Sequence, residues 1–141
     1  MRRILFLVSI LLAACGVQEM ETAVPQANTI ICTAAYRSSV EVGIEREETL
    51  TFVDASDEQS VAFDDMAFHA AYSPGEADNE RALRVWVTDG GGTAVRQSTL
   101  YQLPPNSGPQ NQFVGGHGFT GLNYSYAPGS SAELQFWCAA A

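Results

Sequence analysis

Apolar and polar residues alternate with a period of two along most of the chain after residue 28, and this alternation constrains the fold more than any other feature. In the last such segment, Leu134, Phe136 and Cys138 share one face, and Trp137 lies on the opposite face. Side chains alternate in this way on a β-strand, whereas a helix repeats every 3.6 residues. Since no segment shows a convincing helical period over about ten residues, the sequence predicts an all-β fold.

Segments rich in glycine, proline and acidic residues separate the predicted strands. We expect a strand at 40–44, a charged turn at 45–48, a strand at 49–52 and a polar loop at 54–60. The run Asp89-Gly90-Gly91-Gly92 is the clearest hairpin signal, because successive glycines supply the positive φ that tight turns require. Further strands are expected at 29–36, 61–63, 68–72, 81–88, 93–103, 123–126 and 132–138.

The start of the chain has the organisation of a secretory signal. Arg2 and Arg3 precede a mainly apolar run at 4–12. A helix that spans the hydrocarbon layer of a membrane needs about twenty residues. The run is therefore too short to remain as a membrane span, and small residues follow it immediately before Cys15.

The segment Leu12-Ala13-Ala14-Cys15 resembles the lipobox of bacterial lipoproteins. In that family signal peptidase II cuts before the cysteine, whose thiol carries a diacylglyceryl group. The resemblance implies a signal peptide at 1–14 and a lipid on Cys15. Gly16 stands where the family's inner-membrane retention signal would be Asp, which implies an outer-membrane lipoprotein facing the periplasm. The alternatives are a secreted protein in which Cys15 is incidental and a cytosolic protein with an apolar start.

The remainder of the chain is long enough for one domain and too short for two. Residues 15–27 are mixed and polar, and we interpret them as the lipidated cysteine followed by a tether. A single β domain is expected at 28–141. The covalent lipid on Cys15 is the only prosthetic group that the sequence implies.

The number of cysteines agrees with export from the cytoplasm. Three cysteines leave one without a partner, and the lipidated Cys15 accounts for it. Cys32 and Cys138 should pair in an oxidising compartment, and the alternative is two buried free thiols. Because these two cysteines fall in the first and last strands, the expected fold is a small antiparallel β-sandwich or barrel closed by that disulfide.

The formal net charge is −9, and lysine is absent from the sequence. A nucleic-acid partner or an anionic-lipid patch needs clustered Lys and Arg, so we expect neither. Without lysine the chain has no Schiff-base chemistry and no P-loop. The negative charge is interpreted as a solvated surface or as attraction to a cationic partner.

Few patterns in the sequence point to chemistry. There is no Gly-x-Ser-x-Gly or His-Glu-x-x-His motif, and two dispersed histidines with a bridged cysteine pair do not supply a zinc site. Acidic residues at 54–65 invite comparison with calcium sites, but their spacing does not match an EF-hand loop. We therefore expect neither an enzyme nor a metal protein.

The candidate ligand contacts are His117, Trp86 and Trp137. His117 lies among glycines, where a histidine could approach a ligand closely, although such a segment can also be a turn at a strand end. Both tryptophans fall opposite the apolar rows of their strands. They could form a sugar-stacking or protein-contact patch, unless loops cover them. His69 is expected to point outward or to a sheet edge.

Two functional classes remain. The first is a membrane-anchored lipoprotein whose β domain binds an envelope protein or a glycan. The second is a lipid-anchored inhibitor of a basic hydrolase such as lysozyme. The lipobox, Cys32 in an early strand followed by Val40-Glu41-Val42, and a closing Cys138 are similar to membrane-bound inhibitors of C-type lysozyme. The chain lacks that family's Ser-Ala-Ser-Gly-type loop and its basic residue in a matching place, so no inhibitory residue is carried over.

Overall fold

The computed structural model describes residues 29–53, 57–75, 80–103 and 115–141. These residues contain strands and no helix, which confirms the predicted all-β class, and within them no helix is long and apolar enough to cross a membrane. Cys15, the predicted signal peptide and the predicted tether lie outside the described residues. The strands are β1 (Thr29–Arg37), β2 (Arg46–Val53), β3 (Asp57–Ala62), β4 (Met66–Ser73), β5 (Ala82–Asp89), β6 (Val95–Gln102), β7 (Asn123–Tyr126) and β8 (Glu133–Ala140).

The strands form two four-stranded antiparallel sheets. The first sheet has the order β2-β1-β8-β7, and the second has the order β3-β4-β5-β6. The pairs β1/β2, β3/β4, β4/β5, β5/β6 and β7/β8 are consecutive in sequence, the chain changes sheets after β2 and after β6, and β8 returns to pair with β1. Between β2 and β3 the strand pairing stops, and there the Gln59 side-chain amide donates to the Thr51 carbonyl at 2.8 Å. The fold is therefore an antiparallel β-meander whose two sheets pack face to face as a β-sandwich.

The hydrophobic core lies between the two sheets. Phe68 on β4 and Phe136 on β8 have ring centroids 5.1 Å apart, and Phe52 on β2 packs 6.4 Å from Tyr72 on β4. These contacts join side chains from the inner faces of both sheets, as the alternation predicts. Fully burying a side chain of this size contributes about 1.5–3 kcal/mol. The largest fully buried side chains are Phe52, Phe68, Phe136, Ile30, Met66, Leu83, Leu134, Val85, Val87, Cys32 and Cys138.

The predicted disulfide is confirmed. Cys32 and Cys138 lie directly opposite each other on β1 and β8, with their Cα atoms 4.0 Å apart and both side chains buried. The bond joins neighbouring strands of the first sheet, so it closes the circuit of strands and does not cross between the layers. It spans a sequence separation of 106 residues.

The predicted strand at 40–44 and the charged turn at 45–48 are wrong. Residues 38–45 form the turn between β1 and β2, and β2 begins at Arg46. The apolar alternation at 40–44 misleads because these side chains point to solvent and no sheet partner covers them. The polar loop predicted at 54–60 also ends too late, since β3 begins at Asp57. An edge strand such as β3 carries exposed polar residues without losing its pairing to β4.

The sandwich has two chemically different ends. The turns at 38–45, 63–65, 90–94 and 127–132 each follow an odd-numbered strand and lie together at one end, which we call the distal end. The Val40 amide donates to the Ser131 carbonyl at 3.1 Å, which links two of these turns, and the Tyr36 hydroxyl at the end of β1 donates to Asp65 in a third at 3.2 Å. Thr29 at the start of β1 and Ala140 at the end of β8 lie at the opposite, proximal end.

Candidate functional site

The turn at 38–45 is held in one conformation by a network of hydrogen bonds. The Glu45 amide donates to the Tyr36 carbonyl at 2.9 Å, and the Glu45 carboxylate accepts from the Ser38 amide. The Val42 amide donates to the Ser39 carbonyl at 3.2 Å, and Val40 is bonded to the turn between β7 and β8. Because its backbone is bonded on both sides, the turn is a preorganised surface.

Three aliphatic side chains of this turn are exposed. Val40, Val42 and Ile44 have relative accessibilities of 46%, 41% and 45%, and we call this set the apolar rim. Exposed aliphatic residues scattered singly are ordinary on a protein surface, but this one ordered turn carries three of them. The apolar rim is therefore a candidate contact surface.

A buried ion pair supports the turn from beneath. The Arg37 guanidinium lies 2.7 Å from the carboxylate of Glu133, which is almost fully buried, and also donates to the Val42 carbonyl at 3.2 Å. Burial by itself would raise the pKa of Glu133. Hydrogen bonds from Gln135 and Tyr126 and the charge of Arg37 outweigh it and lower the pKa below its ordinary value of 4.5. Glu133 is therefore ionised near neutral pH and fixes Arg37 under the turn.

An open cavity of about 270 Å³ adjoins the same turn. Its aromatic wall is a stacked pair, Tyr36 and Phe63, with ring centroids 5.2 Å apart and ring planes at 14°. The Arg46 guanidinium lies 5.0 Å from the Phe63 centroid and donates to the Ala62 carbonyl at 2.9 Å. The cavity is lined by Tyr36, Ser38, Glu45, Arg46, Phe63 and Asp64.

Burial and nearby carboxylates both act on Tyr36 in the wall of this cavity. The pKa of Tyr36 is raised from 10.0 to about 12, first by burial and then by its hydrogen bond to Asp65 and the charges of Asp65, Asp64 and Glu45. Both the low polarity and the negative charges disfavour a phenolate at this position. The Tyr36 hydroxyl therefore stays protonated and acts as a donor at neutral pH.

The distal end has an excess of negative charge. Arg37 is paired with Glu133, and Arg46 is paired with Glu48 at 2.9 Å. Within the described ranges, Glu41, Glu45, Asp64 and Asp65 have no ion pair, and all four are exposed. A surface that combines unpaired carboxylates with an apolar rim is complementary to a partner with the opposite charge and some apolar area.

Two of the residues predicted as ligand contacts lie together. The His117 ring meets the Trp137 ring edge to face, with centroids 5.2 Å apart and planes at 87°, on the outer face of the first sheet. Both side chains are half-buried. In the part of the chain that the structure describes, no carboxylate lies within hydrogen-bonding distance of His117.

Gly118, the residue after His117, allows a close packing contact with β8. Gly118 has a φ of 62°, and a Cβ built on it would lie 2.0 Å from the Cys138 carbonyl oxygen. Next to it, the Phe119 amide donates to that same carbonyl at 3.0 Å, and the Thr120 hydroxyl accepts from the Cys138 amide at 2.7 Å. This segment is thus a turn that prolongs the edge of the first sheet beside β8.

The third candidate contact, Trp86, lies on the outer face of the second sheet. It stacks on His69 with centroids 5.0 Å apart and planes at 5°, and the Arg84 guanidinium lies 4.9 Å from its ring centroid. Burial lowers the pKa of His69 below 6.5, which keeps this ring neutral at pH 7. Because Trp86 and Trp137 face away from each other on different sheets, they do not form one patch.

Asp54 lies outside the described residues, and the described acidic residues at 57–65 do not converge on one point. Asp57 opens β3, whereas Asp64 and Asp65 lie in the turn at its other end. Among the residues with described positions, no group of three or more metal-ligating side chains occurs.

Sequence reasoning missed the distal end. The apolar rim was hidden because its alternation imitates a strand, and the cavity joins residues that are distant in sequence, such as Tyr36 and Phe63. The charged run at 45–48, which follows the valines at 40 and 42, was the sequence signal that could have pointed to this surface. No family model, curated protein or solved structure matches the chain.

Proposed function

We propose that the protein is a lipoprotein of the bacterial cell envelope, anchored in the outer membrane through Cys15 and facing the periplasm, whose β domain binds a partner with its distal end. The observation that carries this proposal is the separation of the two ends. The chain enters β1 at the proximal end, while the ordered apolar rim and the acidic cavity lie at the distal end. An anchor on the N-terminal side would therefore leave the distal end free.

The energetics of lipid attachment support a stable anchor. Each buried methylene contributes about 0.8 kcal/mol, and a single acyl chain gives only marginal, reversible binding. Two or three chains on Cys15 would hold the protein at the bilayer essentially permanently. Between that cysteine and the domain, residues 17–27 reach roughly 36 Å when fully extended. The domain would therefore remain close to the membrane.

The test of the anchor is a Cys15→Ser variant expressed in the native envelope with labelled palmitate. We expect the unaltered protein to incorporate label and to fractionate with outer membranes, and the variant to lose the label and leave the membrane fraction. A Gly16→Ser variant serves as the matched control and should keep the label. Label on the Cys15→Ser variant, or no label on the unaltered protein, would refute the anchor.

A second candidate function is inhibition of a basic hydrolase such as C-type lysozyme. The unpaired carboxylates of the distal end favour it, because they would attract a strongly basic enzyme. An assay of lysozyme activity in the presence of the purified lipoprotein separates the two classes when it is run beside co-sedimentation with peptidoglycan. Inhibition with 1:1 stoichiometry supports the inhibitor, and co-sedimentation without inhibition supports a glycan-binding module.

A further inference from the structure

The apolar rim and the acidic cavity share one turn of the chain. Glu45 and Ser38 line the cavity and are also the two ends of the turn that carries Val40, Val42 and Ile44. The turn is fixed by Arg37, which is bonded to the Val42 carbonyl and paired with Glu133. Aliphatic side chains on a rigid backbone, next to an open cavity with aromatic and carboxylate walls, are suited to binding by surface complementarity.

The charges at this surface select among the possible occupants. An anionic membrane and a second copy of this chain would both bring negative charge against unpaired carboxylates. The chain's own segment at 15–27 carries Glu19 and Glu21 and no basic residue, so it would be repelled as well. A basic protein segment is attracted by the carboxylates and can cover the aliphatic side chains.

The cavity wall already accommodates a cation. The guanidinium of Arg46 lies over the Phe63 ring, at a distance typical of a cation–π contact, and its Nε is paired with Glu48. Beyond Arg46, the exposed carboxylates Glu45 and Asp64 line the same opening. A second cationic group that enters from solvent would meet these two carboxylates and the Tyr36 ring, while the charge of Arg46 in the same wall is offset by its pair with Glu48.

We infer that the distal end is a docking surface for a basic protein segment, with an aliphatic or aromatic side chain on the apolar rim and a Lys or Arg side chain in the cavity at Glu45 and Asp64. The inference rests on the proposed function in one respect, because a lipid anchor on the N-terminal side is what leaves this end accessible. The contact itself depends only on the residues of the distal end.

The test is a selection of displayed random peptides on the full-length lipidated protein, immobilised in detergent micelles. We expect the selected peptides to be enriched in Lys or Arg next to an aliphatic or aromatic residue. The best selected peptide is then synthesised and titrated against variants. Val42→Ser should weaken its affinity about tenfold, as should the double variant Glu45→Gln with Asp64→Asn, and added salt should reduce the effect of the double variant.

The variants are chosen so that the fold survives. Val42 is exposed, and Gln at position 45 keeps a side-chain oxygen that can accept from the Ser38 amide. Val53→Ser is the matched control, because Val53 is 57% exposed but lies at the proximal end, and it should leave the affinity unchanged.

Selected peptides without enrichment of Lys and Arg would overturn the inference, as would equal affinity of the Val42→Ser and Val53→Ser variants. Self-association of the full-length protein that the Val42→Ser variant abolishes would also overturn it, since the occupant would then be a second copy. Palmitate labelling is measured separately, so loss of the anchor and loss of the docking surface are distinguishable.

Discussion

At the scale of single residues, the environment of Tyr36 is set by tertiary neighbours. Its hydroxyl bonds to Asp65, which is 29 positions away, and its ring stacks on Phe63 across the two sheets. The sequence predicts a strand position for Tyr36 but contains no signal for these partners. By contrast, Cys32 and Cys138 could be paired from the sequence, because both fall on apolar faces and they bracket the domain.

A Tyr36→Phe variant tests the electrostatics of the cavity. The folded pKa of about 12 exceeds the ordinary value of 10.0, so the stability that Tyr36 contributes is present below pH 10 and is lost as the pH rises towards 12. An ultraviolet titration of the folded protein should show a late-ionising tyrosine that the variant lacks. If the ionisation that the variant loses lies near pH 10 and not near pH 12, the raised pKa is contradicted.

At the scale of elements, alternation predicts strands well only where a second layer covers them. It predicts β1, β4, β5 and β8, whose inner faces are buried between the sheets. It fails at 40–44, where the same pattern lies on a turn whose shape is set by hydrogen bonds to Tyr36 and Ser131. Whether an alternating segment becomes a strand or an exposed turn depends on tertiary contacts, and a local sequence pattern does not contain that information.

The segment beside β8 offers a test at this scale. Gly118→Ala should lower the free energy of unfolding by about 3 kcal/mol, because the new methyl group would clash with the Cys138 backbone and the positive φ disfavours a side chain. Chemical denaturation of the variant measures this loss. Gly116→Ala is the control, since it also has a positive φ but nothing within 4 Å of the added Cβ, so its loss should be smaller. Equal losses would contradict the packing argument.

At the scale of the whole molecule, a single covalent bond closes the meander. The sequence predicts a sandwich or a barrel but not the order of the strands. A period-two pattern shows which face of a strand is buried and does not show which strands pair. The disulfide restricts that choice by requiring β1 and β8 to be close in space, and in the structure they pair directly. The separation of a proximal and a distal end then follows from the alternating direction of consecutive strands.

Removal of the disulfide should lower the stability substantially. In the chain-entropy account, closing a loop of this length stabilises the folded state by about 4–5 kcal/mol, although measured values are often smaller. A double variant, Cys32→Ala with Cys138→Ala, should therefore lose about 3–5 kcal/mol in guanidinium denaturation. A reductant should destabilise the unaltered protein and leave the variant unchanged. A loss below about 1 kcal/mol would mean that the unfolded chain is already compact.

The position of the disulfide within β1 has a mechanical consequence. Cys32 is the fourth residue of the strand. Tension applied through an N-terminal membrane anchor would therefore reach the disulfide after Thr29, Ile30 and Ile31 had separated from the sheet. From there the load passes into β8, in the middle of the first sheet, and further unzipping of β1 requires a covalent bond to break. A protein pulled from this side should therefore resist unfolding under tension for as long as its cysteines stay oxidised.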